Sequence, residues 1–144
     1  MSLWEYANPV KFLKLSDKFL PFFVVCSVIG LTVGLFWGFF LTPDERVQGS
    51  TVKIIYLHVP SAFIAINAWI MMLVASIIWL VRRHHVSALA AKAAAPIGVT
   101  MTVVAIVTGA LWGQPIWDSW WEWDARLTSF FVLFLFYLGY IALW

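Results

Sequence analysis

Residues Leu111 to Ser129, LWGQPIWDSWWEWDARLTS, hold five of the chain's ten tryptophans, together with three acids and one arginine. An indole has a broad apolar body and a single N–H. A cluster of them can stack on a large flat ligand, or sit at a membrane interface with the N–H toward water. Read as a helix, Trp117, Trp121, Asp124 and Thr128 fall at i, i+4, i+7 and i+11, and Trp120, Trp123 and Leu127 form an adjacent stripe. A porphyrin suits such a surface: its face stacks on aromatic rings, its propionates need a cation such as Arg126, and its iron needs an imidazole nitrogen. His58, in IIYLHVPSAF, lies near the same end of the helices. Taken alone it fits an interfacial hydrogen bond as well as ligation, and sharing a side with five indoles favours ligation. An ordinary aromatic belt stands as the alternative reading.

The candidate ligand-binding residues are therefore Trp112, Trp117, Trp120, Trp121, Trp123, Asp124 and Arg126, with His58 as the candidate iron ligand. The charges also have local uses. Glu122 and Arg126 stand at i and i+4 with the acid first, the order that favours an ion pair along a helix. Asp124 precedes a helix expected to begin near Ala125, where its carboxylate can cap the first turn. His84 and His85, beside Arg82 and Arg83, are read as polar loop residues.

Membrane helices must position these side chains. Of 144 residues, 63% are hydrophobic and 11% charged, against roughly 45–50% and about 25% in soluble domains. Four apolar blocks are long enough to cross a hydrocarbon core of about 30 Å: residues 20–41, 54–81, 93–112 and 128–144. The expected fold is all-α, a polytopic integral membrane helical bundle with four transmembrane spans. The connections are residues 42–53, residues 82–92 and the tryptophan-rich segment 113–127. In residues 1–19, Lys11, Lys14 and Lys18 share one helical face and Phe12, Leu15 and Phe19 another, the pattern of an amphipathic helix lying on a membrane surface. Gly30, Gly34 and Gly38 recur every four residues in the first span and allow another helix to approach closely. That span is too long for a signal-peptide core and lacks a small-residue cleavage site, so it is expected to be retained.

Six cations (Lys11, Lys14, Lys18, Arg82, Arg83 and Lys92) flank the spans on one side, and Arg46, Lys53 and Arg126 flank them on the other. The positive-inside bias puts the N-terminus and residues 82–92 in the cytoplasm, and residues 42–53 and 113–127 outside, in the periplasm of a Gram-negative cell. Cys26 stands alone in mid-span, which excludes a disulfide or a Cys-x-x-Cys-His haem attachment within the chain; it is read as a small core residue. No Gly-rich phosphate loop or His-Glu-x-x-His pair is present, and the cations are too few and scattered for a nucleic-acid surface. The sequence stops at Trp144 inside an apolar run with no basic anchor after it, so a longer parent chain is expected.

WGQPIWDSWWEWDARLTS resembles the tryptophan-rich WWD signature of bacterial and mitochondrial haem-handling proteins. IIYLHVP, with APIG at Ala95 to Gly98, narrows the resemblance to the cytochrome c maturation family CcmC, from the first span to Trp144. The resemblance implies a protein that binds and transfers haem at the bacterial inner membrane and is not an enzyme. Haem b is then a transient, transported ligand, held by the WWD segment at the periplasmic surface, and His58 matches the first of two axial histidines. The resemblance further implies delivery to the chaperone CcmE, alongside the transporter subunits CcmA and CcmB and the small protein CcmD, all at the lipid bilayer. Transfer needs a moderate hold, which stacking and replaceable axial ligands supply. Two departures stand out: the family has six spans with its second ligand histidine in a later periplasmic loop, and Asp118 occupies a position where a small residue is expected. One alternative is a WWD-type haem lyase joining haem to apocytochrome thiols, against which chain length and the YLHVP context argue. The other is a structural subunit of a transporter, which haem co-purification separates from both.

Overall fold

The structure is a computed structural model that describes residues 8–144. Helix α1 spans Pro9–Phe36 and runs on through a wide π turn at Trp37–Leu41. A 3₁₀ turn at Ser50–Ile54 leads into α2, Ile55–Arg82. Helix α3 spans His85–Trp117 and α4 spans Ala125–Ala142. All four are long and apolar enough to cross a membrane, and no strand occurs among the described residues. The fold is an all-α polytopic membrane bundle.

Local chemistry sets the helix ends. Asn8 caps α1 by accepting the Val10 amide at 2.9 Å, and Pro9 follows at the first helical position, where its missing N–H costs nothing. The expected amphipathic segment of residues 1–19 differs from what is seen. Residues 1–7 lie outside the described residues, and residues 9–19 are not a separate helix: they continue through Pro21 into the apolar rod. The connection expected over residues 82–92 shrinks to Arg83 and His84, because the alanine-rich run SALAAKAAA is strongly helix-forming and starts α3 early. Arg83 makes the turn with φ 51°, its amide bonded to the Trp79 carbonyl at 2.8 Å and its guanidinium 5.1 Å over the Trp79 ring.

Helices α2 and α3 form the principal pair, α4 packs on α3, and α1 stands at the periphery with no buried residue. Cys26, expected in a core, is exposed, since α1 has almost no protein neighbour along its length. Of the glycine stripe, only Gly38 meets another element, the Tyr56 ring; Gly30 and Gly34 face open space. The core joins Met72 and Ala75 of α2 to Ala91, Ala94 and Ala95 of α3 and Tyr137 of α4. Small alanines let the backbones approach, which is how membrane helices gain packing without a hydrophobic driving force between them. Tyr137 is 0% exposed and ties α4 to α2, its hydroxyl donating to the Ala65 carbonyl at 2.7 Å.

The Tyr137 ring fills the space that the absent side chain of Gly98 leaves on α3, so that any Cβ there would collide with it. The APIG stretch is thus a packing joint between α3 and α4. Gly98→Val is expected to destabilise the bundle by roughly 1–3 kcal/mol through overpacking. Thermal unfolding in detergent checks this, and an unchanged midpoint would show that α4 is not held at this joint.

Candidate ligand-binding site

The start of α2, the end of α3, the start of α4 and the 42–49 loop meet at one end of the bundle. The loop is ordered by its own bonds. Glu45 and Gly49 exchange backbone hydrogen bonds at 3.2 and 2.9 Å, and Gly49 supplies the φ of 59° that the turn requires. The Glu45 carboxylate accepts the Gln48 and Val47 amides, both at 2.8 Å, and these bonds hold its pKa below the ordinary carboxylate value. Lys53 pairs with Asp44 at 2.7 Å. The loop so fixed presents Gln48, whose Oε1 accepts from Trp112 Nε1 at 2.7 Å.

His58 is half-buried in the first turn of α2, with Pro60 following two residues later. Its Nδ1 lies 3.0 Å from Thr108 Oγ1 of α3, and its ring stands edge-on to Trp112 with centroids 5.9 Å apart. Gly109 makes room for it: a Cβ there would come to 3.0 Å from His58 Cε1.

Helix α3 ends after Trp117 because Asp118 takes a left-handed conformation, φ 51°, which aspartate tolerates better than most residues. This gives Asp118 the structural role that its sequence position left open. Residues 119–124 are irregular, with Ser119 Oγ donating to the Trp121 carbonyl at 2.9 Å. Helix α4 then starts on Asp124, as expected: Oδ1 accepts the Leu127 amide at 2.8 Å. Arg126 binds Oδ2 through Nε at 2.9 Å and Nη2 at 2.8 Å, and its guanidinium lies 5.5 Å over the Trp117 ring. The Leu127 amide, and after it Arg126, holds the Asp124 carboxyl below its ordinary pKa. The cap is therefore intact at neutral pH and is lost only as pH falls through that lowered value.

Between these groups lies a half-open cavity of about 390 Å³, within the range of small-molecule sites. His58, Trp112, Trp117, Asp124, Arg126 and Gln48 line it, over an apolar floor that includes Ile106 and Phe130. Five of the eight sequence candidates thus come together: His58, Trp112, Trp117, Asp124 and Arg126. Trp120, Trp121 and Trp123 do not line this cavity. Trp121 and Trp123 pack edge-on to each other at 5.4 Å and to Phe131 at 6.0 and 6.4 Å, lining a separate apolar groove with Val103 and Phe134. Trp120 is 62% exposed.

Two expectations are corrected here. The continuous helical stripe of indoles does not form, because the chain leaves the helix at Asp118 and re-enters it only at Ala125. Glu122 does not pair with Arg126, because it precedes α4, and Asp124 takes the guanidinium instead. Sequence reasoning missed Gln48, Thr108 and Gly109. Writing out the face of α3 that carries Trp112 would have found the last two, since Ala105, Thr108, Gly109, Trp112 and Ile116 recur at helical spacing.

A multi-pass helical membrane protein, with an imidazole, two indoles and an arginine–carboxylate pair around a cavity at one end of the bundle, is the class that fold and site define. The chain belongs to the Heme exporter protein C family, CcmC, which it matches over residues 2–144. It is 67% identical over 144 residues to Heme exporter protein C of Rhodobacter capsulatus, covering 100% of this chain and 60% of that protein. The corresponding protein of Paracoccus denitrificans is 66% identical over 144 residues, 100% of this chain and 59% of its own. That of Escherichia coli K12 is 45% identical over 143 residues, 99% of this chain and 58% of its own. The chain spans about three-fifths of the length of these curated relatives.

Proposed function

We propose that this chain binds haem at the periplasmic face of the bacterial inner membrane and presents it for transfer to the chaperone CcmE during cytochrome c maturation. The observation that carries the reading is the meeting of His58, Trp112, Trp117 and Arg126 around one apolar cavity. His58 supplies an axial nitrogen, the indoles supply stacking surface, and the guanidinium supplies a partner for a propionate. Arg126 is 78% exposed, so its pairing with Asp124 is weak and leaves donors free for an incoming carboxylate. The names of the relatives point to the same cargo. Haem b is cargo here and no covalent step is asked of the protein, so we read it as a binding and transfer component. CcmA, CcmB and CcmD are its proposed neighbours in the membrane.

Titrating detergent-solubilised protein with iron protoporphyrin tests the reading. A saturable shift of the visible absorption bands is expected, and it should be competed by imidazole. Absence of saturable binding would sink it in favour of an interfacial aromatic belt.

The proposed orientation has its own test. With Cys26 replaced, single cysteines at positions 58 and 124 should react with an impermeant thiol reagent in spheroplasts, and one at position 84 should not. Labelling at 84 but not at 124 would invert the topology.

A further inference from the structure

Thr108 has one hydroxyl proton and three neighbours that compete for it. Its Oγ1 lies 2.6 Å from the Val104 carbonyl one turn back, 3.3 Å from the Ala105 carbonyl, and 3.0 Å from His58 Nδ1. A carbonyl oxygen only accepts, so the 2.6 Å contact takes the Thr108 proton. The lone pairs of Oγ1 are then what face the imidazole, and the contact with His58 is a hydrogen bond only if Nδ1 carries the ring proton. A neutral imidazole has a single N–H, so Nε2 is left with its lone pair free. The Ala105 carbonyl, 3.3 Å from Thr108 Oγ1, is a second acceptor for a His58 ring N–H beside the same hydroxyl, and the ring lines the cavity.

We propose that Thr108 is a positioning residue that locks His58 in the Nδ1–H tautomer, so that Nε2 is a preformed, unprotonated donor facing incoming ligand. Gly109 completes the device. A side chain there would come to 3.0 Å from Cε1, the atom between the two ring nitrogens, so the ring would have to give way by a few tenths of an ångström. The α3 pair Thr108–Gly109 thus fixes both tautomer and angle of a side chain that α2 provides. Outer-shell bonds of this kind orient metal-ligating histidines generally. The consequence for iron rests on the haem reading above; the tautomer does not.

Nitrogen-15 NMR of the ligand-free protein in detergent, with labelled histidine and at a pH of about 8 where imidazole is neutral, reads the tautomer directly. Protonated and unprotonated ring nitrogens resonate far apart. His58 is expected to show a protonated Nδ1 and an unprotonated Nε2. Thr108→Val, close in shape but without the acceptor, should return it to the Nε2–H form or to a mixture, and Thr108→Ser should restore the wild-type pattern. An Nε2–H form in the wild-type protein, or an unaltered pattern in Thr108→Val, would overturn the proposal.

Porphyrin binding separates positioning from mere packing. Thr108→Val should weaken iron protoporphyrin by roughly 10- to 100-fold and leave metal-free protoporphyrin, which has no axial site, within about twofold. Equal losses with both porphyrins would make Thr108 a packing residue and overturn its positioning role. If wild-type protein binds neither porphyrin, the haem reading fails, and the nitrogen spectrum alone still decides the tautomer.

Discussion

His58→Ala is expected to lower the affinity for iron protoporphyrin by about 100-fold or more, the upper end of what even outer-shell changes do at metal sites. Of the three histidines in the chain, His58 alone lines the cavity. Added imidazole should re-enter the vacated space and restore the absorption bands, because Gly109 keeps that space open and Trp112 borders it. His84→Ala and His85→Ala should change neither affinity nor spectrum. His84 Nδ1 is engaged by Ser87 at 3.0 Å at the opposite end of α3, and His85 opens the same helix. An unaltered spectrum in His58→Ala would reduce this histidine to a polar residue at a helix start and require another iron ligand.

The helices were legible because membrane composition leaves few choices. Four long apolar blocks must be helices when no water is present to satisfy backbone groups, and four helices are seen. Their boundaries were less legible, and for two reasons. Hydropathy finds where a segment leaves the apolar region, whereas helix termination depends on caps and backbone angles. Residues 85–92 and residues 113–117 are helical although they lie outside the apolar blocks. In the other direction, the lysine pattern of α1 describes a face of one long helix, and periodicity alone cannot say whether such a face bends away from the rod that follows.

The site was legible in its residues and less so in its arrangement. His58, Trp112, Trp117 and Arg126 were named from type and spacing, and they meet. The error lay in carrying one helical period through Asp118. A single left-handed residue rotates everything after it, so the i, i+4 relation between Trp117 and Trp121 no longer places them on one face. The sequence shows that aspartate is present there but not that its backbone adopts φ 51°. Thr108 was invisible for a different reason: a threonine in an apolar helix normally bonds the carbonyl four residues back, and Thr100 and Thr102 do the same at 2.8 and 2.7 Å. Only the proximity of α2 turns one of three similar threonines into the neighbour of a histidine.

The division of the indoles into two groups carries the second large expected effect. Trp112→Ala combined with Trp117→Ala should weaken iron protoporphyrin by roughly 5- to 150-fold. That range follows from about 0.5–1.5 kcal/mol per aromatic contact beyond area burial and about 1.4 kcal/mol per tenfold in affinity. Metal-free protoporphyrin should weaken by a similar factor, since stacking does not involve the iron. Trp112 also holds Gln48 of the 42–49 loop, so Trp112→Phe is the control: it keeps a ring and loses only the N–H bond at 2.7 Å. Trp121→Ala combined with Trp123→Ala should leave both porphyrins bound within about twofold, because these two rings pack on Phe131 in the groove away from His58. With Trp123 73% exposed, what that pair offers is surface, and its loss should appear in membrane seating or in the proposed handover to a partner. The reverse pattern, with affinity lost in the Trp121/Trp123 variant and kept in the Trp112/Trp117 variant, would mean that haem lies on the outer indoles and that residues 118–124 refold around it into the continuous platform expected from the tryptophan spacing.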